Sequence, residues 1–277
     1  MLRVRITQVA VATICVLAAG VTATPAGASS SEAGTDQQEV PTFREFAAST
    51  YRDRDGQFIV NGDEAIRNRQ ELRTYYDRMV ATDDGATHEN GLVVNTVYGS
   101  DDLWSASQAQ NLTYCVSNGF GASKTDVVNA MAQGAALWEG ATSGVDFTYV
   151  PSADSSCRTS NNSVLFSVEP TSTPEYIARA FFPSSSDAER NVLVNAASLV
   201  DSGSWTPGNI LGHELGHSLG FRHEHTRPEA GTCFEDNNWR PLTACDSASI
   251  MHYPQCNGSS ADLSFTSSDA AGVASVY

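Results

Sequence analysis

The chain has 277 residues, of which 41% are hydrophobic and 17% are charged. Its 32 acidic residues outnumber its 16 basic residues, which gives a formal net charge of -16 at pH 7. A chain this acidic repels nucleic acid and anionic lipid, so we expect neither as a partner. The length is sufficient for one substantial core with a smaller appendage, and we expect a monomer.

The first 28 residues have the pattern of a secretory signal peptide. Arg3 and Arg5 form a positive start, residues 6–20 are mostly apolar, and residues 26–28 (Ala-Gly-Ala) offer a small-residue cleavage site. A transmembrane helix is the alternative, but the apolar run is short and is interrupted by polar residues. We therefore predict export, removal of residues 1–28, and an extracellular protein without a membrane attachment.

Residues 29–90 are predicted to form a propeptide and its linker. The segment 29–39 is rich in Ser, Gly, Gln and Glu, which is typical of a flexible leader. Aromatic and apolar residues between 41 and 62 predict a small strand-bearing unit, and helical spacing predicts a helix over 63–80. The polar residues 82–90 are the expected linker.

Residues 91–277 are predicted to form one α+β domain. Thr206 is a good helix cap, and Pro207 suits the first turn of a helix, so a helix is predicted to begin there. The other predicted elements are a helix over 124–139 opened by Ser123 and strands over 112–116, 145–150, 163–168, 177–182 and 192–195.

A metal site is predicted by the segment 213–223, whose sequence is HELGHSLGFRH. On a helix, His213 and His217 lie four residues apart and therefore share one face, close enough to bind one ion. Glu214 is beside that face, where it can handle a proton. Gly220 can adopt positive φ, end the helix and bring His223 back to the same ion.

Three imidazoles with an open fourth position are a common ligand set of catalytic zinc. Such a zinc lowers the pKa of its water to about 7, and Glu214 would accept the water proton during attack on a peptide carbonyl. The alternative is a surface helix that is merely rich in histidine. Five of the six histidines lie between residues 213 and 252, which favours the metal site.

Downstream, the chain has the segment 249–253, Ser-Ile-Met-His-Tyr. Together with the zinc motif, this segment resembles the metzincin zinc endopeptidases, whose second signature is a turn containing methionine. The run from Gly220 to Pro228 makes the resemblance greatest to the astacin branch. The likeness covers residues 206–253, and elsewhere the chain is similar to bacterial metzincins outside the true astacins.

The resemblance implies a mixed twisted sheet, an active-site helix and an irregular C-terminal subdomain. It implies that Tyr253 is an additional zinc ligand that moves away to stabilise the transition state, the alternative being a tyrosine that packs beneath the site. Met251 would form a structural base under the imidazoles. Glu224 would bind the new N-terminus after propeptide removal, or would be an ordinary carboxylate near the site.

Two further roles follow from the same resemblance. Asp63, in the run Val-Asn-Gly-Asp, would cap the zinc in the proenzyme, and the alternative is an ordinary turn. The strand predicted over 177–182 would be the sheet edge that pairs with an extended substrate. We expect His225 and His252 to be structural, because three histidines already supply the ligands.

Five cysteines remain after the signal peptide, so they cannot all pair. Cys115 with Cys157 would tie early strands together. Cys233 with Cys245 would close the loop before the methionine turn, and Cys245 with Cys256 is an open alternative.

The sequence thus predicts a secreted zinc endopeptidase that acts on protein or peptide substrates. The alternative is a catalytically silent zinc-binding adhesion or binding module with the same fold. Intact Glu214 favours the enzyme, because a silent copy has no need for that carboxylate.

Overall fold

The computed structural model describes residues 40–81 and 92–277, which we call the N-terminal unit and the main unit. The predicted signal peptide, the predicted flexible leader over 29–39 and the whole predicted linker over 82–90 lie outside the described residues. No helix within the two described ranges has the length and apolar character needed to cross a membrane.

The N-terminal unit is a three-stranded antiparallel sheet with two helices. The helix predicted over 63–80 is wrong at its start, because residues from Glu64 pair with the preceding strand and Asn68 caps the helix that follows. The Asn68 side chain accepts hydrogen bonds from the amides of Gln70 and Glu71. The elements are α1 (Phe43–Ser49), β1 (Tyr51–Arg52), β2 (Phe58–Val60), β3 (Glu64–Ile66) and α2 (Arg69–Met79).

The main unit combines helices with two sheets, so the α+β prediction is confirmed. Its elements, in chain order, are β4 (Val93–Val97), β5 (Ser100–Asp101), α3 (Ala106–Ala109), β6 (Leu112–Val116), α4 (Lys124–Glu139), β7 (Phe147–Tyr149), β8 (Phe166–Pro170), β9 (Ala178–Arg179), β10 (Asn191–Val194), α5 (Ala196–Val200), α6 (Pro207–Ser218), β11 (Phe221–Arg222), β12 (Trp239–Pro241) and α7 (Ser267–Ala274).

The larger sheet has the strand order β7-β6-β8-β10-β9. Its strands are parallel except β9, which runs antiparallel to β10 at the edge. The second sheet places β4 between β11 and β12, with β5 paired to β4. The larger sheet therefore ends in the edge strand β9, and the smaller sheet contains β11, the strand that follows α6.

The predicted helix over 124–139 and the strand over 112–116 are confirmed residue for residue. The strand predicted over 177–182 shrinks to the two residues of β9, because only Ala178 and Arg179 find partners, Val194 and Leu193, in β10. The strand predicted over 163–168 shifts to Phe166–Pro170, where β6 and β10 both provide pairing partners.

Helices α4 and α6 pack closely, and glycines make this possible. A Cβ atom on Gly134 would lie 2.5 Å from the backbone nitrogen of Gly212, so Gly134 has no room for a side chain. Trp138 is fully buried beside this contact and donates a hydrogen bond from Nε1 to the carbonyl of Gly212 at 2.8 Å. This contact fixes the position of α6 relative to α4.

Two disulfides stabilise the main unit. The predicted pair Cys115–Cys157 is confirmed. Both alternatives for the downstream cysteines are wrong, because Cys233 pairs with Cys256 and leaves Cys245 as an exposed free thiol. The tight turn before Cys256 returns the chain to within a Cα–Cα distance of 5.6 Å from Cys233.

Candidate metal centre

Helix α6 carries the first two predicted ligands. Its start is capped by Thr206, whose hydroxyl accepts a hydrogen bond from the amide of Asn209 at 3.1 Å. Its end is followed by Gly220 at φ 100, where a Cβ would lie only 2.1 Å from the carbonyl oxygen of Asp102. Only glycine fits this turn, and the turn directs the chain into β11 and on to His223.

The three predicted histidines come together, and each ring is held through its Nδ1 atom. The Nδ1 atom of His213 donates to the carbonyl of Ile250 at 2.7 Å, and that of His217 to the carbonyl of Phe221 at 2.8 Å. Nδ1 of His223 donates to a carboxylate oxygen of Glu235 at 2.5 Å. In the neutral form of each ring, the acceptor at Nδ1 keeps the proton on that atom, which leaves the lone pair of Nε2 for a metal ion.

Those lone pairs converge on one point. The Nε2 atoms of His213 and His223 are 3.2 Å apart, and all three rings are at most 2% exposed at the side chain. Nε2 of His217 has no hydrogen-bond partner among the described residues. Buried lone pairs that face one another repel unless a cation lies between them, so this donor set fits a transition metal such as zinc.

Asp63 of the N-terminal unit reaches the same point. Its Oδ2 is 3.1 Å from Nε2 of His213, and its Oδ1 is 3.2 Å from Nε2 of His223 and 3.6 Å from that of His217. The turn before it contains Asn61 at φ 56 and Gly62 at φ 105. The ordinary turn that was the alternative is therefore present, and it also directs the Asp63 side chain to the histidines.

The electrostatics of Asp63 agree with this position. Burial opposes ionisation, yet the nearby His223 and His217 hold the pKa of Asp63 well below its usual value. For His213 burial dominates and lowers the pKa, which favours the neutral ring that binds metal. Together these groups could supply three nitrogen donors and one carboxylate oxygen to a single ion.

Glu214 lies beside this cluster and is 2% exposed. Its Oε2 has no hydrogen-bond partner among the described residues. Burial and then the negative charge of Asp63 raise the pKa of Glu214 well above its usual value, while His223 and Arg179 oppose the rise. A carboxyl group with a raised pKa and a free oxygen is suited to proton transfer.

Tyr253 closes the other side of the cluster. Its hydroxyl donates a hydrogen bond to Oδ2 of Asp63, and its ring stacks on His213 at 5.0 Å and on Trp205 at 5.9 Å. Burial, followed by the charge of Asp63, raises its pKa well above 10. Met251 is fully buried beneath α6, where a Cβ on Gly216 would lie 2.5 Å from its sulfur.

The remaining predicted residues have structural contacts. Glu224 is fully buried, pairs with Arg227 at 3.2 Å and accepts the amide of Asp246 at 3.0 Å. Burial raises its pKa to about 8. His225 stacks on His223 at 4.6 Å, and Nε2 of His252 donates to the carbonyl of Cys256 at 2.9 Å.

Glu235 is a site residue that sequence reasoning missed. Its carboxylate accepts a hydrogen bond from Nδ1 of His223 and forms an ion pair with Arg222 at 2.9 Å. Asp236 pairs with the same guanidinium. A carboxylate on the outer nitrogen of a ligand histidine fixes the ring and increases its basicity. The signal available was an acidic pair two residues after Cys233, but its contact with His223 depends on the path of the loop.

No protein-family model matches this chain, and no curated protein matches it. Among solved structures, the chain is similar to high choriolytic enzyme 1, a hatching-enzyme zinc-protease from the medaka fish Oryzias latipes. The TM-score is 0.36 and the sequence identity 17%, over 58% of this chain and 77% of that chain.

Proposed function

We propose that this protein is a secreted zinc endopeptidase of the metzincin type, made as a proenzyme. The observation that carries this proposal is the convergence of three Nε2 lone pairs beside the buried carboxyl group of Glu214. Each ring is held through Nδ1 by a separate acceptor, so the arrangement is fixed before any ion binds.

His213, His217 and His223 would hold the zinc. A zinc ion there would supply a positive charge that acidifies water and polarises a peptide carbonyl. Glu214 takes the proton of the attacking water and then delivers it to the departing amine. The free Oε2 of Glu214 and its raised pKa support this two-way role.

Tyr253 is proposed to stabilise the developing negative charge on the carbonyl oxygen. In the described structure its hydroxyl already donates to an anionic oxygen, that of Asp63. A phenol with a pKa well above 10 stays protonated at neutral pH, so it remains a donor. Met251 would form a structural base under the imidazoles, a role that needs no contact with the metal.

The N-terminal unit is proposed to be the propeptide that keeps the enzyme latent. Asp63 would occupy the position of the attacking water, and removal of residues 29–90 would open the site. The predicted signal peptide over residues 1–28 would export the chain, and two disulfides are consistent with an oxidising compartment. The substrates would be proteins or peptides.

The test is hydrolysis of unfolded casein by the matured protein. The proposal expects activity that a chelator abolishes and that Glu214→Gln lowers about 10²- to 10⁴-fold, since that is the usual contribution of general acid–base catalysis. Asp126→Asn, an exposed carboxylate in the first turn of α4, is the matched control and should keep full activity.

A catalytically silent zinc-binding module is the outcome that would contradict the enzyme. It would show bound zinc in elemental analysis without casein hydrolysis by the wild type. Equal hydrolysis by the wild type, the variant and the chelated sample would instead show that the activity comes from elsewhere.

A further inference from the structure

Arg179 lies in the edge strand β9, and its side chain is completely buried beneath the N-terminal unit. Its Nε donates to Oδ2 of Asp53 at 2.9 Å, and its Nη2 donates to Asp55. Its remaining contact, from Nη1 to Oδ1 of Asn191 at 3.0 Å, is the only hydrogen bond of this guanidinium to another residue of 92–277. Both carboxylates that neutralise Arg179 thus belong to the N-terminal unit.

The surroundings of Arg179 are built to receive a carboxylate. Tyr176 donates its hydroxyl to the same Asp53 oxygen at 2.5 Å, and Asn191 holds the opposite side of the guanidinium. Tyr176 is 5% exposed and Asn191 is 7% exposed. A planar guanidinium beside a phenol gives convergent donors, the geometry that recognises carboxylate rather than any anion at random.

The pocket around Arg179 lies next to the metal centre, because neighbouring residues of the N-terminal unit reach both. Glu64, the residue after Asp63, forms a parallel bridge with Ala180, the residue after Arg179. The N-terminal unit therefore lies along the same sheet edge that an extended substrate would use.

Removal of the N-terminal unit would take both carboxylates away together. Arg179 would then be left in the main unit with the side-chain oxygen of Asn191 and without an anion. A guanidinium held in place at a substrate-binding edge will select peptides that restore the lost charge pair, because charge-assisted hydrogen bonds are stronger than neutral ones.

We infer that Arg179, with Tyr176 and Asn191, is a specificity subsite for an Asp or Glu side chain of the substrate. In the proenzyme Asp53 and Asp55 occupy that subsite in place of the substrate. The inference rests on the proposed peptidase function, and it makes Arg179 a specificity-determining residue, with the chemistry left to Glu214.

The test uses the matured enzyme and a series of fluorogenic peptides in which one Asp is moved along the sequence. Each Asp peptide is compared with the peptide that has Asn at the same position. The inference expects one position where Asp raises kcat/KM roughly tenfold over Asn, mainly through KM. Arg179→Gln should remove this ratio, and Arg179→Glu should favour Lys at that position instead.

Two further variants separate recognition from folding. Tyr176→Phe keeps the ring and should reduce the Asp preference only in part, because one donor is lost and the guanidinium stays. Arg240→Gln is the matched control, since Arg240 pairs with Asp101 on an exposed surface, and it should leave the preference unchanged. Thermal unfolding of each variant checks that the matured fold persists.

A binding measurement keeps this inference separate from the proposed function. In the Glu214→Gln background, fluorescence anisotropy of the labelled Asp and Asn peptides should show the same preference without turnover. A preference that Arg179→Gln abolishes would support the subsite even if casein hydrolysis failed. The absence of an Asp preference in both assays, or a preference that survives in Arg179→Gln, would overturn it.

Discussion

The main unit and the N-terminal unit are stabilised in different ways. The main unit has an extensive apolar core between the larger sheet and helices α4 and α6. The N-terminal unit has a core of only five buried residues, Ala47, Phe58, Val60, Leu72 and Tyr75. The contact between the units includes buried charges on both sides. The two units thus differ most in the size of their own apolar cores.

The charged contacts between the units suit the proposed removal of the N-terminal unit. Arg179 meets Asp53, Arg222 meets Glu64 at 3.4 Å, and the histidines meet Asp63. Removing one partner of such a pair leaves a buried charge unpaired, which is strongly destabilising. Removing the whole unit would let water solvate both partners of each charged pair, and it would also expose a small apolar contact between the units.

The largest expected effect is on latency. Asp63→Ala in the uncleaved precursor removes the carboxylate that faces the three histidines. We expect peptidase activity of the precursor to rise roughly tenfold to a hundredfold, the range for loss of a charged hydrogen-bonding group. The measurement is hydrolysis of a fluorogenic peptide, with mass spectrometry to show that the precursor is intact.

Asp77→Ala is the matched control for this change, because Asp77 is an exposed partner of Arg73 in α2. It should leave the precursor latent. An Asp63→Ala precursor that is as inactive as the wild type would show that the N-terminal unit blocks the site without help from this carboxylate.

The second effect tests whether the small core is separate from the large one. Leu72→Ala should lower the stability of the N-terminal unit by about 2 kcal/mol, the low end for such a truncation because a small core relaxes easily. Hydrogen exchange should accelerate at amides of α2 and stay unchanged at those of α4. Thr74→Ala, on the exposed face of α2, is the control.

Equal acceleration in α2 and α4 would contradict the comparison. It would mean that the two units unfold together as one cooperative structure, despite their separate apolar cores.

A third effect concerns alkaline pH and the main unit. Burial raises the pKa of Tyr114 in β6 to about 12, so the unfolded chain loses this proton first as the pH rises. The contribution of Tyr114 to the free energy of unfolding is therefore nearly constant below pH 10 and falls between pH 10 and pH 12, by about 1.4 kcal/mol at pH 11. Denaturant titrations at pH 8 and pH 11 measure the difference.

Tyr114→Phe should remove that part of the pH dependence. Tyr98→Phe, at a fully exposed side chain, should retain it. A wild type and a Tyr114→Phe variant with the same loss of stability would show that Tyr114 ionises equally in both states.

The smallest effect concerns the cysteines. Cys245→Ser should change the stability of the main unit by less than about 0.5 kcal/mol, because the thiol is exposed and unpaired. The matured native protein should react with one equivalent of thiol reagent, and the variant with none. Cys256→Ser is the contrasting change, and it should cost about 2 to 4 kcal/mol by breaking a disulfide.

The sequence was sufficient for the parts of the site that are local. The spacing of His213 and His217 along one helix, with Gly220 at its end, predicted that the two imidazoles would lie together and that the chain would turn after them. The helix over 124–139 was correct for the same reason, because its periodicity extends over four turns. The strand over 177–182 was only partly correct, since strand pairing depends on distant partners.

Contacts between distant segments could not be predicted in the same way. Arg179 and Asp53 are 126 residues apart, and no spacing rule links them. Glu235 reaches His223 only because the loop that contains it folds back, and the pairing of Cys233 with Cys256 depends on the same loop. Asp63 was suggested by resemblance alone, since a turn of Asn, Gly and Asp is common in any protein.

The disulfide between Cys233 and Cys256 has a consequence for where the protein can work. Glu235 lies two residues after one end of this bond, and Tyr253 lies three residues before the other. A reducing agent that opens this single bond would loosen Glu235, which holds the ring of His223, and also Tyr253 on the other side of the cluster. If the proposed metal centre is correct, reduction should cause loss of metal and loss of activity together. The active protein would then be confined to oxidising surroundings, and reduction would inactivate the whole centre.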